Sequence, residues 1–344
     1  MNRTVHLVRA ARRHLLDPLH SHSPVTPDRS VRCFATASGS INPGTLGPFQ
    51  VFDRHAKRLQ KDRAARADNG DQSRLVDYVR NEVADVMIER LQDIKRRFEN
   101  VIDLGSGPGH LTKMLDREMA PRVTMIDLSH HTLHRDPKSE FEVDVDRHQM
   151  DEEGLLAAIP ANSQDAVISC LSLHWINDLP GMLVQIKEVL KPDGVFLGAL
   201  FGGDSLFELR SSLQVAEVER EGGISPRVSP MTQTQDMSNL MGRAGFSLLT
   251  VDIDEVKISY PSMWELLEDL KAMGEGNAVI GRRHYIPRDT LIAASAIYEA
   301  LHGAEDGTVP ATFQVIYVIG WKPSPTQPKS LERGSGQTNL RDVL

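Results

Sequence analysis

Cysteine is nearly absent: the 344 residues hold two, Cys33 and Cys170. If Cys33 leaves with an N-terminal leader, one remains. A disulfide framework, a Cys-ligated zinc site and a self-contained iron–sulfur site are then excluded within one chain. Long apolar runs are missing too. No stretch approaches the roughly 18 apolar residues that mark a membrane-spanning helix. A basic excess is also lacking, since the net charge is −8. General nucleic-acid binding, which neutralises phosphates with Lys and Arg, does not suit such a body.

Acidic residues are scarce in one place only. Residues 1–34 hold six Arg, no Lys and two acids, Asp17 and Asp28, leaving −12 for the rest of the chain. Such an Arg- and Ser-rich, acid-poor start reads as a mitochondrial transit peptide. Arg9, Arg12 and Arg13 fit one side of a short amphipathic helix, with Leu7, Val8, Leu15 and Leu16 as its apolar part. Arg32, Cys33 and Phe34 before Ala35 and Thr36 resemble a matrix-protease cleavage site. A secretory signal is unsupported, because there is no apolar core of the needed length.

What is present is an ordinary globular composition, 40% hydrophobic and 25% charged. Residues 35–48 read as a linker and 49–100 as an N-terminal helical region, with helices over 50–66 and 72–97. From residue 101 the pattern changes to strands alternating with helices. Strands are expected at 101–104, 123–127, 141–145, 165–171, 194–200, 247–258 and 313–321. Helices are expected at 110–119, 181–190 and 204–221. This alternation implies an α/β fold with a doubly wound parallel sheet of seven strands. A helical insert, 261–304, precedes the last strand, and 322–344 reads as a polar tail. Met263, Trp264, Leu266, Leu267, Leu270 and Met273 form a stripe in the insert, read as core or as a lid.

The most informative turn runs from Asp103 to Gly109. Gly105, Gly107 and Gly109 follow a strand and open the expected helix, so backbone N–H groups can approach a ligand. A dinucleotide fingerprint would need its third glycine at His110. The spacing and the preceding Asp103 resemble instead the class I S-adenosylmethionine-dependent methyltransferases, with their Rossmann-like fold. Asp127 ends the second strand, where a carboxylate can accept from both ribose hydroxyls. Asp146 lies where that fold presents an acid to the adenine amino group. Cys170 and Leu171, ending the fourth strand, complete the expected cofactor wall.

More specific segments reach further. They are Val51 to Arg54 with Lys57 to Lys61, Leu171 to Pro180, Leu190 to Phe196, Phe201 to Arg210 (FGGDSLFELR), Glu219 to Gly223 and Val309 to Phe313, ending at Ile319 to Lys322. Together with the leader, these resemble the mitochondrial NADH:ubiquinone oxidoreductase (complex I) assembly factor five family, from about Phe52 to Lys322. The resemblance implies an assembly factor of the matrix, peripheral on the inner membrane. It implies partners among complex I intermediates and hydroxylation of an arginine in an iron–sulfur subunit. Such chemistry needs an oxygen-activating cofactor, which the sequence does not identify.

Candidate catalytic residues follow. His174, with Trp175 and Asp178, comes after the fourth strand, at the end of the sheet where ligands bind. His174 reads as a base or as packing beside the cofactor, and Asp178 equally as a helix cap. Asp204, Glu208, Glu219 and Glu221 are candidate guanidinium partners, or a solvated helix face. His130, His131, His134 and Asp136 read as a polar surface cluster in preference to a metal site. Two other functions remain open: methyl transfer to a small molecule or acyl carrier, and a cofactor-stabilised chaperone without turnover.

Overall fold

The computed structural model describes residues 4–8, 50–328 and 334. One sheet is built from β1 (Thr4–Val8), β2 (Val101–Leu104), β3 (Arg122–Asp127), β4 (Asp144–Gln149), β5 (Gln164–Cys170), β6 (Leu190–Phe201), β7 (Ser247–Tyr260) and β8 (Val309–Trp321). Their order across the sheet is β1-β7-β8-β6-β5-β2-β3-β4. β2 is buried along its whole length, as expected of a central strand covered on both faces.

The seven expected strands are β2 to β8, and two features depart from expectation. β8 runs antiparallel to both β6 and β7. Tyr260, ending β7, pairs with Val309, which opens β8, so the chain re-enters the sheet from the end it left. The eighth strand, β1, lies in the segment expected to be a leader, where Leu7 and Val8 were read as helical. It pairs parallel to β7, from Thr4 opposite Glu255 to Val8 opposite Ser259. The run Thr-Val-His-Leu-Val is rich in β-branched residues, and β7 otherwise presents an open edge there. The rest of the leader and linker, and most of the tail, lie outside the described residues.

The helices are α1 (Arg54–Arg66), α2 (Asp71–Leu75), α3 (Tyr78–Gln92), α4 (His130–Leu133), α5 (Leu155–Ala158), α6 (Leu179–Val189), α7 (Phe207–Glu221), α8 (Thr234–Ala244), α9 (Met263–Ala272) and α10 (Arg288–His302). Asp53 opens α1 by accepting from Ala56 N at 2.9 Å. The helix expected over 72–97 is broken between Leu75 and Tyr78. α8 was not foreseen. Apolar residues of α3, α7, α9 and α10 fill one face of the sheet, and those of α6 and α8 fill the other. In the insert, Met263, Leu266 and Leu270 join the core, while Trp264 stays exposed. Among the described residues no helix is long and apolar enough to cross a membrane.

Two local corrections bear on the site. The helix expected at 110–119 is reduced to a single tight turn, Thr112–Met114, and Leu115 is already extended. α3 occupies the space beneath the sheet there, with Val83, Met87 and Leu91 in the same core as Leu111 and Leu115. The strand expected at 141–145 begins at Asp144, because Arg122 of β3 pairs with Asp144. Phe141 and Val143 are buried but precede the strand.

Candidate active site

Strand order reverses between β2 and β5, and open α/β sheets bind ligands at the carboxyl ends beside such a reversal. A cleft lies there. Its floor is the loop after β2. Gly105 has φ +68°, and a Cβ on it would stand 2.0 Å from Ser172 Oγ. Gly109 has φ +93°, and a Cβ would meet the Phe141 ring at 2.6 Å. Both positions therefore need glycine for conformation and for space.

Two aspartates anchor the loop. Asp103 is 1% exposed. Thr112 Oγ1 donates to its Oδ2 at 2.5 Å, and its Oδ1 has no partner. Burial, opposed by the Thr112 bond and aided by the Asp127 charge, pushes its carboxyl up to about 7. Asp127 accepts from Gly107 N at 2.9 Å and from Ser129 N at 2.8 Å. Lys61 Nζ stands 2.5 Å from Asp127 Oδ2, where ribose hydroxyls were expected. An orphaned buried oxygen, a cradle closed to any Cβ and a carboxylate at the end of β3 together fit an adenosyl cofactor.

The roof comes from α1 and the insert, which the cofactor motif does not include. Arg54, Lys57 and Lys61 follow one another down the inner side of α1 and all line the cleft. Arg54 pairs with the buried Glu152 and, at 3.0 Å, with Asp151. Lys57 donates to the carbonyls of Gly274 and Gly276 at 3.0 and 2.9 Å. Its ammonium lies 3.2 Å from the centre of the Trp175 ring. Burial brings this lysine down to about 7.

Glu275 closes the far wall. It accepts from Trp175 Nε1 at 2.8 Å and from Arg80 Nη2 at 2.5 Å. Burial opposes its charge, yet contact with His174 and the charges of Lys57 and Arg80 hold its carboxyl well below the usual range. His174 Nε2 stands 3.5 Å from Glu275, too long for a good hydrogen bond, and neither ring nitrogen has another partner. Burial lowers the pKa of this imidazole, which favours its neutral form. A third carboxylate of the cleft, Asp77, binds Arg135 at 2.6 Å.

The expected site residues divide in two. Asp103, Gly105, Gly107, Gly109, Asp127, Cys170 and Leu171 converge on the cleft or its floor, and His174 lies just behind it. The other four do not reach it. Asp146 pairs with Thr124 in the middle of β4 and turns outward to His148 at 2.8 Å. The three-residue shift of β4 explains this, because Asp151 and Glu152 then follow the strand. Asp178 caps α6, accepting from Gly181 N at 2.9 Å. Asp204 is exposed and accepts from Gln314 Nε2 at 3.1 Å. Glu208 is buried against Thr312, whose Oγ1 donates to it at 2.5 Å. Glu221 binds Arg283 and Thr290, and Glu219 is exposed. His130 and His134 stack at 4.3 Å on α4, while Asp136 is held by Arg135, Arg74 and Lys113. Among the described residues no three His, Cys, Asp or Glu side chains are grouped to hold a metal.

The methyltransferase-domain family matches residues 75–251, from α2 into β7. A Danio rerio protein named arginine-hydroxylase NDUFAF5, mitochondrial, is 47% identical over 295 residues, covering 86% of this chain and 90% of that protein. The chain belongs to the mitochondrial arginine-hydroxylase family. The Homo sapiens member is 45% identical over 315 residues, covering 92% of this chain and 88% of its own. Similarity of that extent takes in α1 and the insert, the two parts of the arginine-hydroxylase cleft outside the methyltransferase-domain match. A malonyl-[acyl-carrier protein] O-methyltransferase of Halorhodospira halophila is 31% identical over 314 residues, covering 88% of this chain and 98% of its own.

Proposed function

We propose that the protein binds S-adenosylmethionine in this cleft and hydroxylates an arginine of an iron–sulfur subunit of complex I, as an assembly factor in the mitochondrial matrix. The observation that carries the reading is the 45–47% identity to named arginine hydroxylases across nearly nine-tenths of their length. Residues 1–34 act as the transit peptide, and attachment at the inner membrane is peripheral, through a protein partner. Anionic lipid would repel a body of charge −12 once the basic leader is gone.

The cleft's own groups suit such a substrate. Asp103, Asp127 and the loop from Gly105 to Gly109 would hold the cofactor, which brings an electrophilic sulfonium when bound. Glu152, Glu275 and Asp77 already bind the guanidinium groups of Arg54, Arg80 and Arg135. Carboxylates in a low-dielectric site pair strongly with a planar guanidinium. A substrate arginine is received by exchange at one of them, and Glu275 is the one that stands beside a second cavity as well. The imidazole of His174 packs behind Glu275 and takes part in no bond to the substrate.

A methyltransferase of acyl-carrier-bound acids is the second reading, favoured by the 31% identity to the Halorhodospira protein. Mass spectrometry of complex I subunits from cells lacking the protein separates the two. Loss of one oxygen mass from an arginine supports hydroxylation, and loss of a methyl mass from a substrate supports the second reading. Failed assembly with every modification intact would sink both and leave a chaperone.

A further inference from the structure

Behind Trp175 and Glu275, away from the cofactor loop, lies a second cavity of about 310 Å³. Its wall is apolar, with Phe201, Leu206, Leu209, Leu213, Leu270 and Phe313. Glu275 is the only carboxylate among its lining residues, and it stands at the inner end, where the cavity meets the cofactor cleft. The mouth is lined with arginines. Arg63 and Arg227 line both the cavity and an open outer groove, which adds Arg282, Arg283 and His284 and no acid among its lining residues. Arg227, Arg282 and Arg283 are paired with Glu217, Asp53 and Glu221, which leaves Arg63 as the unpaired arginine of the groove among the described residues.

Arg227 supplies an independent sign of a ligand. Its side chain is only 6% exposed. Nε binds Glu217 at 2.5 Å, and Nη1 donates to the carbonyls of Arg283 and Tyr285. Nη2 is buried and has no partner. A buried guanidinium N–H left unpaired is costly, and an oxygen acceptor arriving at the mouth would relieve it. A neutral oxygen would pair with Nη2 too, but an anion makes a charge-assisted bond there and is also attracted to Arg63.

We propose that this cavity binds the acyl chain of an anionic single-chain amphiphile, tail inward to Trp175 and Glu275, with its carboxylate or phosphate head on Arg227 and Arg63. The direction follows from Arg227 Nη2, an unpaired donor at the mouth, whereas Glu275 at the inner end is already paired with Arg80 and Trp175. The cavity abuts Glu275, the carboxylate proposed above to receive a substrate arginine, but its test does not depend on that reading.

The test is calorimetry on the purified full-length protein with palmitate, palmitoyl-coenzyme A and hexadecanol. At least one of the two anions is expected to bind saturably, and the tighter of them names the head group. Hexadecanol is expected to bind at least about tenfold more weakly than that anion. Across octanoate, decanoate and dodecanoate, affinity should rise about fourfold per methylene, the factor for burying each CH₂. Arg63→Glu, on the exposed face of α1, should weaken the anion at least about tenfold without changing the melting temperature. Arg227→Gln should also weaken the anion, while lowering the melting temperature because Glu217 loses its buried partner, and Leu213→Trp should remove binding by filling the cavity. No saturable binding of either anion, no dependence on chain length, or equal binding of hexadecanol would overturn the proposal. Wild-type affinity in Arg63→Glu would also overturn it, whether or not the core variants fold.

Discussion

The Asp103 carboxylate keeps one oxygen on Thr112 and the other on nothing. Its pKa rises on folding to about 7, so the folded protein binds a proton that the unfolded chain has released. The stability present at acid pH is therefore lost as pH rises from about 4 to about 7. Asp103→Asn is expected to raise the melting temperature of the cofactor-free protein at pH 8, with a gain that shrinks towards pH 4. The same change should abolish cofactor binding by calorimetry; a flat difference in melting temperature across pH would refute the account. At the far wall, Glu275→Gln should lower arginine modification at least about tenfold while cofactor affinity stays within about twofold. Asp204→Ala, at an exposed residue outside the cleft, should leave modification unchanged, as quantitative mass spectrometry would show. Asp103 and Asp127 were legible because strand, glycine turn and acid lie within a short stretch of sequence. Glu275 was not. Its partners Trp175 and Arg80 are far away in the chain, and no local spacing brings them together.

Element by element, the sheet was easier to read than its connections. Buried strands such as Val101–Leu104 announce themselves as short apolar runs bounded by turns. The tight turn at Thr112 could not be separated from a helix, because α3 takes the space only once the chain has folded. α1 shows the converse. Its charged sequence reads as a solvated helix, yet Arg54, Lys57 and Lys61 point into the cleft because buried acids and carbonyls await them there. The Lys61 contact would compete with a bound ribose for Asp127. Lys61→Met should tighten cofactor binding, by up to about tenfold if the lysine mainly competes. Calorimetry at fixed pH would check this, and weaker binding would make Lys61 a cofactor ligand instead. The misplacement of Asp146 belongs to this scale as well. A strand that starts three residues late carries each of its acids to a different depth.

For the whole molecule, the sheet with both faces covered gives a rigid floor, and α1 with the insert forms a roof that is less locally determined. Residues 1–34, fused to a fluorescent protein, should direct it to mitochondria, and Arg9, Arg12 and Arg13 changed together to Ala should leave it in the cytosol. Imaging reads the outcome, and retained targeting would move the signal elsewhere in the chain. Trp175 touches every part that matters: Phe52 before α1 at 5.3 Å, Lys57 in α1, and Glu275 in the insert. It also lines both cavities. The chain holds three tryptophans, and the other two, Trp264 and Trp321, can be replaced by Phe. The emission that remains should then shift as Lys57 loses its charge near pH 7, because a cation on the face of an indole changes the field across its excited-state dipole. The protein thus carries its own optical probe, one chromophore whose colour reports in real time on the roof, the cofactor and whatever fills the space behind it.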